Sequence, residues 1–446
     1  MVPSTDNARA RPSASALLAE VGAPPLAQTG IRRRAQAAVR RRDFSVNGEL
    51  KICVVGLGYI GLPTASLLGT KGAQVFGVDI SPEVVATINQ GRIHIEEPDL
   101  DLMVKSAVQA GRLKAGLAPV EADVFVLAVP TPIQADKTPD LEAVRQAARS
   151  IATVVKPGNL VILESTSPVG TTDEIVAAIL REAGHAVGDS VFVAYCPERV
   201  LPGRILTELV ENDRVVGGIN EASTEAAVEF YASFVRGEVL ATDSRTAEMV
   251  KLTENSFRDV NIAFANELSM ICDSEGISVW EVIRMANRHP RVKILQPGPG
   301  VGGHCIAVDP WFIVARSPEH SALIRSAREV NDRKPHWVVE RVIACASQVR
   351  KPVIACLGLT FKADVDDLRE SPAVDIVREL AAQGVGELLV VEPHLESHPE
   401  FQLVALEEAV RRANIVLVLV DHKRFKRLRR ELLNEKLLID TRGVFL

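Results

Sequence analysis

The sequence predicts an α/β protein in which two Rossmann-like, doubly wound domains are joined by a helical central domain. From residue 50 onward, short apolar runs alternate with amphipathic helical segments, a pattern typical of a parallel sheet covered by helices. Strand-like runs are absent between about residues 221 and 336, and a second series then repeats the first. The expected parts are a basic tail over 1–47, a Rossmann domain over 48–220, a helical domain over 221–336 and a second Rossmann-like domain over 337–446.

The apolar pattern predicts each element in turn. The expected strands are 51–55, 74–79, 124–129, 160–163 and 191–194 in the first domain, and 353–357, 387–391, 415–420 and 437–440 in the last. Long helical patterns cover 246–275 and 322–349. Both outer domains carry a similar turn before a strand, Ala122-Asp123 in one and Ala413-Asn414 in the other, which indicates an internal repeat. A cleft between two such domains is a usual place for a ligand.

Composition limits the possible classes of protein. With 446 residues and 47% hydrophobic content, the chain can form two or three domains with cores of their own. The longest apolar runs are far shorter than the roughly 18 residues of a membrane-spanning helix, so no membrane insertion is predicted. Six cysteines without a CxxC pair and nine histidines without an HExxH pattern predict neither a disulfide framework nor a metal site. A reducing, cytoplasmic location is expected.

The net charge of −6 is unevenly distributed. Residues 1–47 contain eight arginines and three acids, a net charge of +5, which leaves −11 for the rest. This tail is rich in Ala, Pro and Ser and shows no core-forming pattern, so we expect it to be mostly disordered. Its paired arginines precede no apolar stretch and therefore do not predict an export signal, while a membrane-surface or partner-binding role stays open. The acidic body argues against nucleic-acid binding.

A dinucleotide fingerprint, Gly56-Leu-Gly58-Tyr59-Ile60-Gly61, follows the first predicted strand and opens a helix. The first glycine permits a tight turn, the second lets the backbone approach a pyrophosphate, and the third lets helix and strand pack closely. The phosphates would then lie at the helix N-terminus. Asp79, 18 residues after Gly61, suits the ribose hydroxyls and would repel a 2′-phosphate, so the pattern predicts NAD rather than NADP. The alternative is that these glycines only shape a turn.

A single cysteine, Cys305, lies in the glycine-rich stretch 295–312. A thiol combined with a hydride acceptor suggests oxidation beyond the aldehyde. The aldehyde would form a thiohemiacetal, lose a second hydride to give a thioester, and be released by water. The alternative is that Cys305 is a small buried hydrophobic residue.

Charged residues elsewhere are compatible with this chemistry. Lys251 and Asn255 stand four residues apart, on one helix face, where a cation and an amide donor suit a developing oxyanion. Lys251 could equally be a solvated helix residue. In the second Rossmann-like domain only Gly358 of the three fingerprint glycines remains. Lys362 near it could serve a different anionic ligand, although Lys362 and Arg369 could be plain surface charges.

From about residue 50 to its end, the sequence resembles the UDP-glucose/GDP-mannose dehydrogenase family. The motifs that carry the likeness are Ile93-His-Ile-Glu-Glu-Pro98, Tyr195-Cys-Pro-Glu198-Arg-Val-Leu-Pro-Gly203, Gly298-Pro-Gly-Val-Gly-Gly-His-Cys305-Ile-Ala-Val-Asp309-Pro-Trp and Leu359-Thr-Phe-Lys362-Ala-Asp-Val-Asp-Asp-Leu-Arg369-Glu-Ser-Pro. The second and third look like the branch that acts on UDP-N-acetylhexosamines. The resemblance implies oxidation of the C6 alcohol of a nucleotide sugar to a carboxylate, with two NAD reduced and one water consumed.

The resemblance also implies roles for individual residues. Cys305 matches the nucleophile, Lys251 the residue that stabilises the oxyanion, and Asn255 one that positions water. Glu198 and Asp309 match acids that serve thioester hydrolysis, although either could instead cap a helix N-terminus. Thr131 faces active-site water and cofactor and Thr166 faces the cofactor, unless both simply end strands.

On the substrate side, the resemblance assigns Lys362 to the UDP moiety, Arg442 to the diphosphate and Arg369 to the cofactor across the cleft. Arginine suits phosphate because it donates two parallel hydrogen bonds. The remaining substrate-binding positions are Glu198, Arg199, Lys251, Asn255, Gly302 and an arginine from a neighbouring subunit. That arginine is Arg291, with Arg288 as the alternative alignment. The helical middle is accordingly expected to form a homodimer or a higher homo-oligomer.

One departure from the family bears on the substrate. The glucose-acting branch has a second acid in the motif that follows Glu198, and here that position is Pro202. The expected substrate is UDP-N-acetyl-D-mannosamine, for surface polysaccharide synthesis, with its C2 epimer UDP-N-acetyl-D-glucosamine as the alternative. A non-catalytic NAD-binding regulatory protein is a more distant alternative, because such a protein would be expected to have lost one of Cys305, Lys251, Asn255, Glu198 and Asp309.

Overall fold

Two sheets, one of eight strands and one of four, form the framework of the chain, and the predicted α/β fold class is confirmed. The computed structural model describes residues 42–445. The strands of the large sheet are β1 (Lys51–Val55), β2 (Gln74–Val78), β3 (Leu113–Gly116), β4 (Val124–Leu127), β5 (Leu160–Leu163), β6 (Phe192–Tyr195), β7 (Arg214–Gly218) and β8 (Val239–Asp243). Their order is β3-β2-β1-β4-β5-β6-β7-β8, and every pair is parallel except β6 with β7.

Helices cover both faces of the large sheet. They are α1 (Gly61–Thr70), α2 (Pro82–Asn89), α3 (Leu100–Gln109), α4 (Glu142–Ala152), α5 (Ala178–Glu182), α6 (Ile205–Glu211) and α7 (Glu221–Ala232), with a π-helical segment over Thr172–Ala177 before α5. Alternate residues of β1 enter two separate cores, Ile52 and Val54 in one, Cys53 and Val55 in the other. This burial on both faces explains why β1 reads as a continuous apolar run. The strand order reverses between β1 and β4, which opens a crevice at their carboxyl ends.

Four helices form the middle of the chain: α8 (Ser244–Ser274), α9 (Val279–Ala286), α10 (Asp309–Arg316) and α11 (Ala322–Ala346). Helix α8 begins where the Asp243 carboxylate accepts a hydrogen bond from the Thr246 backbone N–H at 2.9 Å. Along its length α8 packs against α10 and α11. One face of α8 therefore lies beside the segment between α9 and α10, which carries Cys305.

The second sheet has the order β10-β9-β11-β12 with all pairs parallel. Its strands are β9 (Val353–Leu357), β10 (Glu387–Val391), β11 (Ile415–Val418) and β12 (Leu437–Asp440), and its helices are α12 (Pro372–Ala382), α13 (Leu406–Arg412) and α14 (Lys423–Lys426), followed by a 3₁₀ turn over Arg430–Leu433. The internal repeat is visible in its hydrogen bonds. Asp123 accepts from the Lys51 N–H at 2.9 Å, and Asn414 accepts from the Val353 N–H at 3.0 Å.

Three strands of the large sheet were not predicted from the sequence, namely β3, β7 and β8. The expectation of no strand between 221 and 336 is wrong, because β8 lies there and pairs with β7 from Arg214 opposite Val239 onward. Both β3 and β8 are edge strands, and β8 is largely exposed, so neither needs an uninterrupted apolar run. Their extended conformation depends on hydrogen bonds from a neighbouring strand.

The predicted tail ends inside the folded domain. Phe44 is fully buried, and its ring packs edge-on against Phe192 with 6.1 Å between ring centroids. Arg42 forms an ion pair with Asp123, at the amino end of the sheet. The predicted disorder of residues 1–41 lies outside the described residues. Within residues 42–445, no helix is both long and apolar enough to cross a membrane.

Candidate active site

The glycine loop between β1 and α1 has the geometry that a pyrophosphate requires. Gly56 adopts φ +92°, and a Cβ there would lie 2.4 Å from the carbonyl oxygen of Ala128. A Cβ at Gly61 would lie 1.8 Å from the carbonyl oxygen of Gly56, so only glycine allows α1 to start this close to β1. A Cβ on Gly58 would meet no atom within 4 Å and would project into the open crevice. The loop therefore leaves backbone accessible to a dinucleotide.

Asp79 is fixed at the rim of this loop. Its carboxylate accepts hydrogen bonds from the backbone N–H groups of Leu57 at 3.1 Å and Ser81 at 2.9 Å. It stays partly exposed, so it retains lone pairs for ribose hydroxyls. The next residue, Ile80, is 94% exposed and was missed by the sequence analysis. Its exposed apolar side chain follows Asp79 at the rim of the loop.

Thr131 and Thr166 come together where the chain leaves β4 and β5. The Thr131 hydroxyl donates to the Thr166 carbonyl oxygen at 2.6 Å. The Ser165 hydroxyl donates to the Val129 carbonyl oxygen at 2.7 Å and ties the same two loops together. Both predicted threonines thus lie at the carboxyl edge of the large sheet, the edge that also carries the glycine loop.

A buried polar pair joins α8 to α10. Lys251 and Asn255 are both buried on the same face of α8. The Asn255 amide donates to the Asp309 carboxylate at 2.5 Å. Asp309 is the first residue of α10, after the N-cap Val308, and its carboxylate accepts from the Asn255 side chain and from no backbone N–H of the described residues, so the capping alternative is wrong for this acid. Burial raises the pKa of Asp309 to about 6, against the opposing effects of the Asn255 hydrogen bond and the Lys251 charge.

Cys305 sits directly beside this pair. Its carbonyl oxygen accepts the backbone N–H groups of Val308 at 3.0 Å and Asp309 at 2.9 Å, in a turn that leads into α10. Burial raises the pKa of the Cys305 thiol to about 11, and the nearby Asp309 charge adds to the shift. The positive charges of Lys251, Arg369 and Arg258 oppose it. The resting thiol is therefore protonated at neutral pH.

We expect alkylation of Cys305 by iodoacetamide to be slow at pH 7 and to accelerate about tenfold per pH unit up to pH 10, because the thiolate is the reacting form. Lys251→Met removes a cation that stabilises the thiolate and should slow alkylation further at each pH. Peptide mapping by mass spectrometry of the wild type and of Cys305→Ser measures the modification at this position alone. A rate that reaches its plateau below pH 9 would contradict the raised pKa.

Glu198 is held by a different set of contacts. It is buried, and its carboxylate accepts the Arg199 N–H at 2.6 Å and the Arg214 guanidinium at 2.9 Å. It makes no hydrogen bond with Lys251, Asn255 or Asp309 among the described residues. It also caps no helix, because its one backbone donor is its neighbour in the chain. The structure thus brings four of the predicted catalytic residues together and holds Glu198 on a buried arginine.

A cleft of about 390 Å³ opens on this face of α8. It is lined by Arg199, Val200, Leu201, Asn212, Asp213, Lys251, Glu254, Asn255 and Arg258. Arg199, predicted to bind substrate, pairs here with Glu254 at 2.7 Å. Arg258 was missed by the sequence analysis. Its position seven residues after Lys251, two turns along the same face, was the available signal.

Residues of the second Rossmann-like domain contact both the glycine loop and the loop that carries Cys305. Arg369 lies 5.0 Å from the ring centroid of Tyr59 in the glycine loop, and its carbonyl oxygen accepts the Gly303 N–H at 3.1 Å. A Cβ at Gly302 would lie 2.4 Å from the carbonyl oxygen of Glu370, so this contact requires glycine. Arg442 pairs with Asp421 at 2.9 Å.

The last predicted positions differ in how closely they approach the site. An Arg442 guanidinium nitrogen would lie 2.6 Å from a Cβ on Gly298, so Arg442 contacts the start of the Cys305 loop. Lys362 is exposed in the loop after β9. Arg291 is exposed in the loop after α9 and does not line the cleft, so its action from a neighbouring subunit stays a prediction.

A histidine cluster at the carboxyl edge of the second sheet was not visible in the sequence. Asp364, His394 and His422 bring one potential ligand atom each to within 4.8 Å of one another. Both ring nitrogens of His422 are already engaged, because one accepts the Asp364 N–H at 2.9 Å and the other lies 3.1 Å from the Glu392 carboxylate. The cluster therefore fixes the turn after β9.

A buried hydrogen-bond chain supports the Cys305 loop. The Asn266 side chain accepts the Gly298 N–H at 2.8 Å and donates to Asn331 at 2.9 Å. Asn331 donates to Asp259 at 2.8 Å, and Asp259 pairs with Arg328 at 2.6 Å. These contacts join α8 and α11 to the start of the loop. Sequence spacing could not reveal them, because the partners lie on helices 65 to 72 residues apart.

Comparison with known proteins assigns the fold to a family. Three models of the UDP-glucose/GDP-mannose dehydrogenase family match in sequence order: the NAD binding domain over residues 50–235, the central domain over 245–333 and the UDP binding domain over 355–446. The chain belongs to this family. It is accordingly an NAD-dependent nucleotide-sugar dehydrogenase.

Relatives of this dehydrogenase share its full architecture. It is 56% identical to the NDP-N-acetyl-D-galactosaminuronic acid dehydrogenase of Ralstonia solanacearum, covering 88% of this chain and 96% of that protein. It is 53% identical to the UDP-N-acetyl-D-mannosamine dehydrogenase of Escherichia coli strain K12, over 88% of this chain and 99% of that protein. The solved structure of a UDP-N-acetyl-mannosamine dehydrogenase from S. aureus superposes with a TM-score of 0.82 at 44% sequence identity. The match covers 88% of this chain and 95% of that one.

Proposed function

We propose that this enzyme oxidises C6 of UDP-N-acetyl-D-mannosamine to give UDP-N-acetyl-D-mannosaminuronate, for surface polysaccharide synthesis. The observation that carries the proposal is that Cys305, Lys251, Asn255 and Asp309 lie close together. They lie beside the cleft that Lys251 and Asn255 line. Relatives named for N-acetylhexosamine nucleotides support the sugar class. Six free cysteines and the use of NAD support a cytoplasmic location.

NAD supplies the acceptor for both hydrides. Cys305 adds to the C6 aldehyde left by the first oxidation and forms a thiohemiacetal. Loss of the second hydride gives a thioester, and attack by water breaks the C–S bond and returns the thiol. Lys251 stabilises the negative oxygen of each tetrahedral species, while Asn255 and Asp309 hold the attacking water. Asp309 suits this step because a pKa of about 6 leaves it ionised at neutral pH, so its carboxylate can accept a hydrogen bond from the water.

Glu198 has a separate part in this scheme. It is the second acid of thioester hydrolysis and takes the proton of the attacking water. Thr131, Thr166 and Arg369 hold the cofactor side of the cleft. Lys362 and Arg442 bind the UDP moiety at the edge of the second sheet, and Arg291 completes the site from a neighbouring subunit.

The test is the amount of NADH formed per sugar with UDP-N-acetyl-D-mannosamine and its glucosamine and galactosamine counterparts. Two NADH per mannosamine nucleotide, with little from the others, is the expected result. The galactosamine nucleotide is the second candidate, because relatives named for N-acetyl-D-galactosaminuronic acid are 56% and 57% identical to this chain. Two NADH from the glucosamine nucleotide alone would keep the chemistry and change the substrate. No NADH from any of the three would refute the proposed activity.

A stripe of exposed apolar side chains on α8 supports association into a dimer. Phe257, Phe264 and Ile271 are 67%, 54% and 53% exposed and recur every seven residues. Such spacing places them on one side of the helix, as in a two-helix packing seam. Large apolar side chains exposed in a row are typical of a protein interface. This face is the homodimer interface of the proposed enzyme.

Phe264→Glu is expected to convert the dimer into monomers, because it would place a carboxylate in the apolar seam without a partner. Sedimentation velocity measures the change in mass. Leu102→Glu is the matched control, since Leu102 is 64% exposed on α3, outside the stripe. A dimer that persists in Phe264→Glu, or that is lost equally in Leu102→Glu, would contradict this interface.

A further inference from the structure

Four buried side chains form a cluster next to Glu198. Arg214 is the first residue of β7, Glu164 follows β5, Tyr231 belongs to α7, and Cys196 follows β6. Arg214 is 2% exposed, and Tyr231 and Cys196 are no more exposed than that. The reaction scheme above uses none of the four. A charged cluster this deeply buried is costly unless it is well paired, so its arrangement invites a functional explanation.

Arg214 is held from several directions. One guanidinium nitrogen donates to the Glu198 carboxylate at 2.9 Å, and another donates to the Leu209 carbonyl oxygen at 3.1 Å. The guanidinium lies 5.7 Å from the centre of the Tyr231 ring. Its Nε has no partner among the described residues. The contacts to Glu198 and Leu209 orient the guanidinium plane, which a lysine ammonium could not reproduce.

Glu164 lies on the other side of this arginine. One of its oxygens accepts the Tyr231 hydroxyl at 2.6 Å, while the other has no hydrogen-bond partner. Burial raises the pKa of Glu164 to about 7, and the charge of Glu198 adds to the rise while Arg214 opposes it. Below that pH Glu164 is neutral, so Glu198 is the one ionised carboxylate that attracts the Arg214 guanidinium. The other titratable group facing Glu164 is Cys196, whose pKa burial raises to about 12.

The consequence for Glu198 is a fixed orientation. Each of its two oxygens receives one donor, the Arg199 N–H on one and Arg214 on the other. A carboxylate oxygen has two lone pairs, so each keeps one for a water molecule. The two donors fix the plane of the Glu198 carboxylate and leave the remaining lone pairs directed away from Arg199 and Arg214.

We propose that Arg214 is a positioning residue that holds Glu198 as an oriented carboxylate for hydrolysis of the Cys305 thioester, with the Leu209 carbonyl oxygen and the Tyr231 ring keeping Arg214 in place. The inference rests on the proposed function, because it concerns one step of that reaction. In that step the water oxygen bonds to the thioester carbon, Glu198 takes the water proton, and the C–S bond breaks to leave the Cys305 thiolate. Arg214 touches neither substrate nor water.

Arg214→Lys tests the proposal, because it keeps the positive charge and loses the second donor. We expect a burst of two NADH per active site at the wild-type rate, followed by turnover that is slower by about 10- to 100-fold, less than the loss typical of removing a general base. Rapid acid quench and mass spectrometry of the intact protein should find the sugar acid bound as a thioester to Cys305. Glu198→Gln should give the same signature more strongly.

Opposite results would overturn the assignment. The variant must first unfold at the same temperature as the wild type, which shows that it is folded. If it then turns over at the wild-type rate, Arg214 is not needed for hydrolysis. If its burst rate and its steady-state rate fall by the same factor, Arg214 does not act on the hydrolysis step in particular. A failure of the proposed function is distinguishable, since the wild type itself would then form no NADH from UDP-N-acetylhexosamines.

Glu164→Gln provides a second measurement should Arg214→Lys fail to fold. The amide can still accept the Tyr231 hydroxyl but cannot ionise and compete for Arg214. The rate of hydrolysis after the burst is compared with that of the wild type from pH 6 to pH 8. We expect the ratio of the variant's hydrolysis rate to the wild-type rate to rise as the pH passes 7. Only in the wild type does Glu164 then ionise and attract the Arg214 guanidinium away from Glu198. A constant ratio would overturn the proposal.

Discussion

Cys305→Ser is expected to lower carboxylate formation by about 10⁴-fold or more, the scale of loss when a covalent nucleophile is removed. A serine hydroxyl is a far weaker nucleophile than a thiol, and the nearby Asp309 carboxylate, already hydrogen-bonded by Asn255, is too weak a base to activate it. The aldehyde then has no covalent route to the second hydride transfer. Uronate formation is measured by chromatography of the nucleotide products, and NADH by absorbance.

Cys345→Ser is the matched control for this change. Cys345 is also half-buried, but it lies on α11 and packs against the core of the second Rossmann-like domain. Its replacement should leave the activity at the wild-type value. Full uronate production by Cys305→Ser would rule out covalent catalysis in this enzyme.

Asp259→Ala is expected to lower the free energy of unfolding by about 3 to 5 kcal/mol, because it leaves the Arg328 guanidinium buried without its main partner. Arg328 and Asp259 are both fully enclosed and lie 2.6 Å apart between α8 and α11. Arg328 keeps only its contact with the partly exposed Asp332. Asn331 loses the Asp259 carboxylate as an acceptor and keeps only the backbone carbonyl oxygen of residue 259, which loosens its bond to Asn266 and so the anchor of Gly298. Urea denaturation followed by circular dichroism measures the loss.

Two controls separate the buried pair from a general effect of charge removal. Asp259→Asn keeps an acceptor oxygen for Arg328 and Asn331 and should be destabilised by less than the alanine variant. Glu400→Ala breaks the exposed ion pair with Arg378, at 2.8 Å, and should not change the unfolding midpoint measurably. Equal losses in Asp259→Ala and Glu400→Ala would contradict the importance of burial. A KM for the sugar nucleotide that rises in Asp259→Ala would tie the network to the Cys305 loop.

Local patterns were sufficient for much of the fold. The glycine loop was predictable because each glycine meets a steric limit set by nearby backbone, as at Gly56 and Gly61. The repeat was predictable because Asp123 and Asn414 make the same backbone contact in both sheets. The edge strands β3 and β8 were not, because a strand that is half exposed needs no apolar run and owes its form to the strand beside it.

The sequence by itself determined the fold class and the use of NAD, since these depend on short-range spacing and on the chemistry of single residues. Only the tertiary structure decided which groups act together. It joined Asn255 to Asp309 across 54 residues and paired Glu198 with Arg214. It also raised the pKa of Cys305 and Asp309 by burial. The physical reason is that burial and electrostatic pairing depend on distances in space, which sequence separation does not encode.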